Sequence, residues 1–415
     1  MDQYVSRRFA LSGTQALPAM YPYNTPVDNL GVDRAQPDRG VISFAHYDYL
    51  GLANDPRVKD PAKEVIDRFG VGAGASRLVG GEVSLHRVLE RELADFIGVE
   101  DTLTNVSGYG TNVALLGHLM TKDDLIITDQ AAHNSIMTGC QLSRATSKRF
   151  QHNDIDDLDQ LLSKHRKDHN RVLVVVEGLY SMDGDIPDLP RLLEVCRRHD
   201  AWIMVDEAHS IGVLGPNGRG ITEHYGLPPN AVDIIVGTLS KSFVTCGGFV
   251  AGSKPLMDWL RCTMPGFVYS VGLSPPLAAA AYAAIQIART ETDRLQTLRE
   301  KSRFFLETAQ RFGLNTGNAI GAAVVPVHFQ NVNQAIFAAQ TALDHGFFVP
   351  AIAQIAVPKD LPRLRFFITK DHAPADIERV LSVLHHVEVT SQRSPRSAAD
   401  AKRSVDRSEY ALHDQ

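Results

Sequence analysis

Four short runs of branched apolar residues constrain this chain more than anything else in it. Leu125-Ile-Ile-Thr-Asp129, Arg171 to Glu177, Trp202 to Asp206 and Ile234 to Thr238 read as buried strands. Helical patterns fall between them, such as Leu189 to His199. Strands spaced by helices imply parallel βαβ units, with a sheet covered on both faces. Such a sheet gathers its ligands at the carboxyl ends of its strands. The expected fold is therefore α/β, and the residues just past each strand are the ones to inspect for chemistry.

A chain of 415 residues is too long for one ordinary core, so a large domain and a smaller one are expected. Residues 1–40 show no clear periodicity and read as an irregular arm. A short strand is expected at Val41 to Phe44, a helix from Asn54-Asp-Pro56 to Phe69, and a helix over Ser84 to Ile97, whose apolar residues recur at helical spacing. Thr102 to Val106 reads as a strand, followed by a turn and a helix over Thr111 to Met120. After Pro275-Pro276, a long helical region with a break runs from Leu277 to about Phe312. Beyond it the order strand, helix, strand, helix (Ala323 to Phe329, Asn333 to His345, Arg363 to Thr369, Pro374 to His386) describes a compact α+β unit. This gives a large domain over 41–290, a small one over 291–389, and a polar, disordered tail over 390–415.

Composition narrows the function. Hydrophobic residues make up 44% and charged residues 22%, as in an ordinary globular protein. A net charge of −6 gives no global field to attract nucleic acid or an anionic membrane. Four cysteines (Cys140, Cys196, Cys246, Cys262) lack the spacing of a zinc site or a disulfide frame. With no apolar run of the ~18 residues that span a bilayer and no secretory signal pattern, a cytoplasmic protein without bound metal is expected.

The candidate chemistry lies past the strand ends. Lys241 follows Ile234 to Thr238 in Gly237-Thr-Leu-Ser-Lys-Ser242, where desolvation would suit an amine nucleophile or base. Asp206 closes another strand in Asp206-Glu-Ala-His-Ser210, and a buried aspartate there calls for a cationic partner such as a protonated pyridine nitrogen. His209 would share its pocket. His133 and Ser181 follow two further strands, and the turn Ser107-Gly-Tyr-Gly110 opens a helix whose N–H groups suit a phosphate. Taken singly, each has a plainer reading: a solvated loop lysine, a helix-capping aspartate, a structural histidine. Together they describe a pyridoxal phosphate pocket.

The ordered motifs Asp48-Tyr-Leu-Gly51, Gly74-Ala-Ser-Arg-Leu-Val-Gly-Gly81, Ser107-Gly-Tyr109, Asp129…His133, Ser181-Met-Asp-Gly-Asp185, Asp206-Glu-Ala-His-Ser210, Gly237-Thr-Leu-Ser-Lys241 and Val357-Pro…Arg363-Leu-Arg365 resemble those of the α-oxoamine synthases. That family, of fold-type I pyridoxal phosphate-dependent transferases, includes serine palmitoyltransferase, 8-amino-7-oxononanoate synthase and 5-aminolevulinate synthase. The resemblance implies a mostly parallel seven-stranded sheet covered by helices, plus a small C-terminal α+β domain. It implies that Lys241 carries the cofactor, Asp206 holds the pyridine proton, His209 and Ser181 approach the phenolic oxygen, and His133 stacks on the ring. Gly108, Tyr109, Thr238 and Ser240 would bind the phosphate, with Ser270 lent by the second subunit of a homodimer that shares its active sites. Arg365 matches the arginine that fixes the amino-acid carboxylate. Tyr47 stands where many relatives have an asparagine that helps set that carboxylate, and His86, which opens the family's His-x-x-Leu-Glu segment, is a further substrate-binding candidate by the resemblance.

The implied reaction is a decarboxylating condensation of a small L-amino acid with an acyl thioester, of coenzyme A or acyl carrier protein, to an α-amino ketone. A serine palmitoyltransferase-like pair of substrates is the first expectation, on the Ser-Lys-Ser context of Lys241. The alternatives are 8-amino-7-oxononanoate synthase, using alanine and a pimeloyl thioester, and an aminotransferase or lyase of the same fold. A non-catalytic partner subunit would have lost the lysine, and a DNA-binding regulator would need a basic helix-turn-helix domain that no stretch supplies.

Overall fold

The structure is a computed structural model, and it describes residues 41–352 and 361–393. The irregular arm, the pair Val357-Pro358 and most of the expected tail lie outside the described residues. The described chain divides into two compact units. One runs from Tyr47 to Glu300 and takes back Thr369–Asp371. The other combines residues 41–46 with Lys301–Ile368 and the chain from His372 onward. The division therefore falls inside a helix, Thr292–Arg311, where the sequence reading puts a boundary near 290.

In the larger unit, seven strands form one sheet in the order β2 (Asp101–Asn105), β8 (Gly248–Gly252), β7 (Ile234–Thr238), β6 (Trp202–Asp206), β5 (Val172–Glu177), β3 (Leu125–Asp129) and β4 (Thr146–Phe150). Only β8 runs antiparallel to its neighbours. Strands β3, β5 and β7 are buried at every position, as expected of a parallel sheet covered on both faces. Their registers align the strand ends, with Glu177 opposite Asp206 and Asp206 opposite Val236. Strand β4 forms an edge, and its polar, largely exposed sequence Thr-Ser-Lys-Arg discourages pairing with another chain.

Helices cover the sheet as the sequence pattern implies. Asp55 caps helix Pro56–Phe69 by accepting from the Arg57 amide, with proline in the first turn. Helix Ser84–Ile97 buries Leu89, Leu93, Phe96 and Ile97. The expected long helix breaks at Glu291 into Pro275–Thr290 and Thr292–Arg311. The first of these is alanine-rich, so its buried Ala278, Ala281 and Ala284 let it lie close against helix Pro56–Phe69.

The smaller unit holds a three-stranded antiparallel sheet in the order β11 (Ala351–Ile352), β12 (Arg363–Phe367), β9 (Val324–His328). Beside it, β1 (Ile42–Ser43) pairs in parallel with β10 (Phe347–Phe348). Phe44, Phe305, Phe347 and Phe366 meet in its core with Ile377, Leu381 and Leu384 of the last helix, Pro374–Arg393. That helix continues past Thr390, where the tail was expected to begin.

Candidate active site

At the carboxyl ends of β5, β6 and β7 the larger unit encloses a cavity of about 280 Å³. Glycine makes its floor. Strand β8 lies so close to the start of helix Gly108–Leu119 that a Cβ on Gly248 would sit 2.6 Å from Gly108 Cα, and a Cβ on Gly108 would sit 2.8 Å from Thr238 Oγ1. Ser107 caps that helix by accepting from the Gly110 amide, and Gly108 and Tyr109 of its first turn line the cavity. The hydroxyls of Thr238 and Ser240 meet at 2.8 Å on the same side.

Asp206 is 5% exposed, and its carboxylate accepts from Asn112 Nδ2 at 2.7 Å and from the Ala208 amide at 2.9 Å. Both donors are neutral. Glu177 lies beside it, and burial, reinforced by the Asp206 charge, pushes its carboxyl up to about 8. The following residue, Glu207, faces away and accepts from Ser210 Oγ and the Ile221 amide, so it ties down the loop that leaves β6. His209 Nδ1 lies 2.7 Å from the hydroxyl of fully buried Tyr49. His133 caps helix Asn134–Ser143, with Nδ1 2.7 Å from Ser135 Oγ. The Lys241 ammonium stands 5.7 Å from the centre of the Tyr47 ring, which meets the His209 ring in a T-shaped arrangement.

Gly108, Tyr109, His133, Asp206, His209, Thr238, Ser240 and Lys241 thus line one cavity, along with two residues that the sequence reading does not name for the site, Asn112 and Glu177. Other sequence candidates are placed differently. Ser181 is buried behind the wall and its amide donates to Glu177 Oε2. Ser270 lies on the segment that bridges to the 76–81 loop, and Tyr47 touches Lys241 from outside the wall. Arg365 belongs to the smaller unit, where its guanidinium covers the ring of Phe367. The sequence reading places His86 at the substrate, but its ring is fully enclosed: Nδ1 accepts from the Val83 amide and Nε2 meets the Leu273 carbonyl at 2.6 Å. Its two bonds fasten a helix start to a distant loop.

These residues fit pyridoxal phosphate. A buried carboxylate whose two donors among the described residues are neutral suits a protonated ring nitrogen. Beside it, the buried Asn112 Oδ1 has no hydrogen-bond partner among the described residues, and the helix start at Gly108 suits a phosphate.

Comparison with known proteins agrees. The family described as aminotransferase class I and II matches residues 39–384. An 8-amino-7-oxononanoate synthase from Thermosipho melanesiensis is 37% identical over 347 residues, 84% of this chain and 88% of that one. Another from Beijerinckia indica is 38% identical, covering 86% and 89%. The solved serine palmitoyltransferase of Sphingomonas wittichii aligns with a TM-score of 0.86 at 32% identity, over 94% of this chain and 98% of that one. The chain belongs to the class I and II aminotransferase family and, within it, to the α-oxoamine synthases, which are pyridoxal phosphate-dependent acyltransferases of this fold.

Proposed function

We propose that the protein condenses a small L-amino acid with an acyl thioester, releasing thiol and carbon dioxide, and that alanine is the amino acid. The meeting of Lys241, buried Asp206 and the glycine-opened helix start in one cavity carries the reaction class. The names of the sequence relatives support alanine over serine, so the serine palmitoyltransferase-like expectation gives way to its alternative.

Bound pyridoxal phosphate supplies an electron sink for bond cleavage at the Cα of an amino acid. The chain's residues divide the remaining work. Asp206 would keep a proton on the ring nitrogen, with Asn112 orienting the carboxylate. The Gly108 and Tyr109 amides, with Thr238 and Ser240, would hold the phosphate. Lys241 would bind the group through Nζ and, once released, take the Cα proton of the amino acid. His133 would cover the ring face and exclude water, while Tyr49 fixes the ring of His209. Arg365 would take the amino-acid carboxylate.

A second copy of the chain is the proposed partner. The 71–79 loop and the 269–271 segment, joined by the Ser76–Val271 bridge, leave Tyr269 85%, Val79 81% and Val71 75% exposed. Replacement by glutamate, Val79→Glu, is expected to turn a dimer into a monomer in sedimentation velocity, and an unchanged dimer would remove this face from the interface.

To test the reaction, thiol release from pimeloyl- and palmitoyl-coenzyme A would be followed with alanine, serine and glycine. The expected result is turnover with alanine that Lys241→Ala abolishes together with the visible absorbance of the bound cofactor. A higher kcat/KM with serine would overturn the choice of amino acid. Thiol release by Lys241→Ala at the parent rate would overturn the mechanism.

A further inference from the structure

Behind the cavity wall, one histidine joins the loops that follow three adjacent strands. Asp129 ends β3 with its carboxylate fully buried; Oδ1 accepts from the Ala131 amide at 2.7 Å and Oδ2 from the Asn153 amide at 2.9 Å. His152, just past β4, sets Nδ1 2.8 Å from Asp129 Oδ1 and Nε2 3.0 Å from Asp185 Oδ2. Asp185 is itself buried and accepts in addition from Asn153 Nδ2. The His152 and Tyr180 rings meet in a T-shaped arrangement at a centroid separation of 4.5 Å.

A neutral imidazole has one N–H and can donate to one carboxylate only; donating to both requires the imidazolium. Two buried carboxylates would otherwise face each other uncompensated. Each carboxylate anchors a turn. Asp129 begins the turn that ends at His133. Asp185 closes the turn that starts at Tyr180, through Tyr180 N–H to Asp185 O, and this turn carries Ser181.

We propose that His152 is a positioning residue whose protonated ring, bonded to both Asp129 and Asp185, fixes the spacing between the turn bearing His133 and the turn bearing Ser181. Burial alone would drive the proton off this ring, but the hydrogen bonds and charges of the two carboxylates outweigh it and hold the group at about 10. The link to the cofactor rests on the site reading given above, in which His133 lines the cavity and Ser181 stands behind its wall, bonded through its amide to the lining residue Glu177.

Two measurements separate the inference from that reading. In 15N-histidine-labelled apoprotein at about pH 8, where an ordinary histidine of pKa about 6.5 is neutral, the His152 ring should show two protonated nitrogens. A neutral tautomer would overturn the proposal without any reference to the cofactor. Titration with pyridoxal phosphate should then show a dissociation constant raised about tenfold in His152→Gln, with weaker visible circular dichroism at saturation because the ring is held less rigidly. Asp185→Asn, which keeps the shape and removes one arm of the clamp, should move both readings in the same direction, and it serves where His152→Gln does not fold. Folded variants with the parent's affinity and circular dichroism would overturn the positioning role. A parent protein that bound no pyridoxal phosphate would instead overturn the site reading, and the NMR result would stand on its own.

Discussion

Replacing Gly248 with alanine tests how tightly the floor of the cavity is built. The added Cβ would lie 2.6 Å from Gly108 Cα, 2.6 Å from Thr111 Oγ1 and 2.8 Å from Gly108 N. Carbon atoms at rest keep about 3.5–4.0 Å, so β8 or the helix start must retreat by about 1 Å. Most of the obstruction is backbone, which cannot rotate aside. Overpacking of this kind costs about 1–3 kcal/mol, and in a unit of this size it lowers Tm by roughly 2–10 °C. The retreat also displaces the Gly108 amide from the phosphate position, so pyridoxal phosphate affinity should fall by about tenfold or more. Differential scanning calorimetry and a cofactor titration read the two effects. A Gly248→Ala protein with parental Tm and parental affinity would refute the close-approach reasoning.

Val244 holds a φ of 50°, a left-handed conformation that a β-branched residue adopts only under strain. Val244→Gly should raise stability by about 1 kcal/mol after the glycine's larger unfolded-state freedom is set against the relieved strain; a loss of that size in urea unfolding would contradict this. Because the folded-state pKa of His152 is raised to about 10, its stabilising contribution is complete below the unfolded value near 6.5 and declines as pH rises through about 10. The stability gap between the parent and His152→Gln should therefore narrow from neutral to alkaline pH, and a gap that widens would reverse the assigned sign. Glu177, held up to about 8, is already protonated at neutral pH. Glu177→Gln should accordingly keep cofactor affinity within about threefold at pH 7, and a hundredfold loss would show that its charge is needed.

The strands that carry the site were legible because they are apolar throughout and end in polar residues at the ligand-gathering edge. Strand β4 was not, because an edge strand reading Thr-Ser-Lys-Arg-Phe lacks the apolar alternation that marks a half-buried one. Missing it also hid His152, whose partners come from two other strand ends. Strand β8, short and bounded by glycines, reads as a loop until β2 and β7 close around it. Asn112 is one polar residue in a helix, and its bond to Asp206 spans 94 residues of sequence, so no local pattern announces it. His86 failed in the opposite direction. A motif supplied a histidine, but only its enclosure and two hydrogen bonds reveal that it fastens the fold. Tyr49 sat inside a recognised motif, yet its part in holding His209 depends on a contact made 160 residues away.

The path of the chain through the smaller unit bears on how the protein is made. Strand β1 leaves the ribosome roughly 300 residues before its partner Phe347–Phe348. At about 5–20 residues per second, that is a wait of roughly 15–60 s, during which the intervening segment from Tyr47 to Glu300 has all but three residues of its own compact unit. Closing a loop of that length costs about 5 kcal/mol of chain entropy on the logarithmic scaling of loop closure, unless the folded segment between has already drawn the ends together. Early completion of the larger unit would turn a distant search into a short one. A strand of two residues also offers little edge for mispairing while it waits.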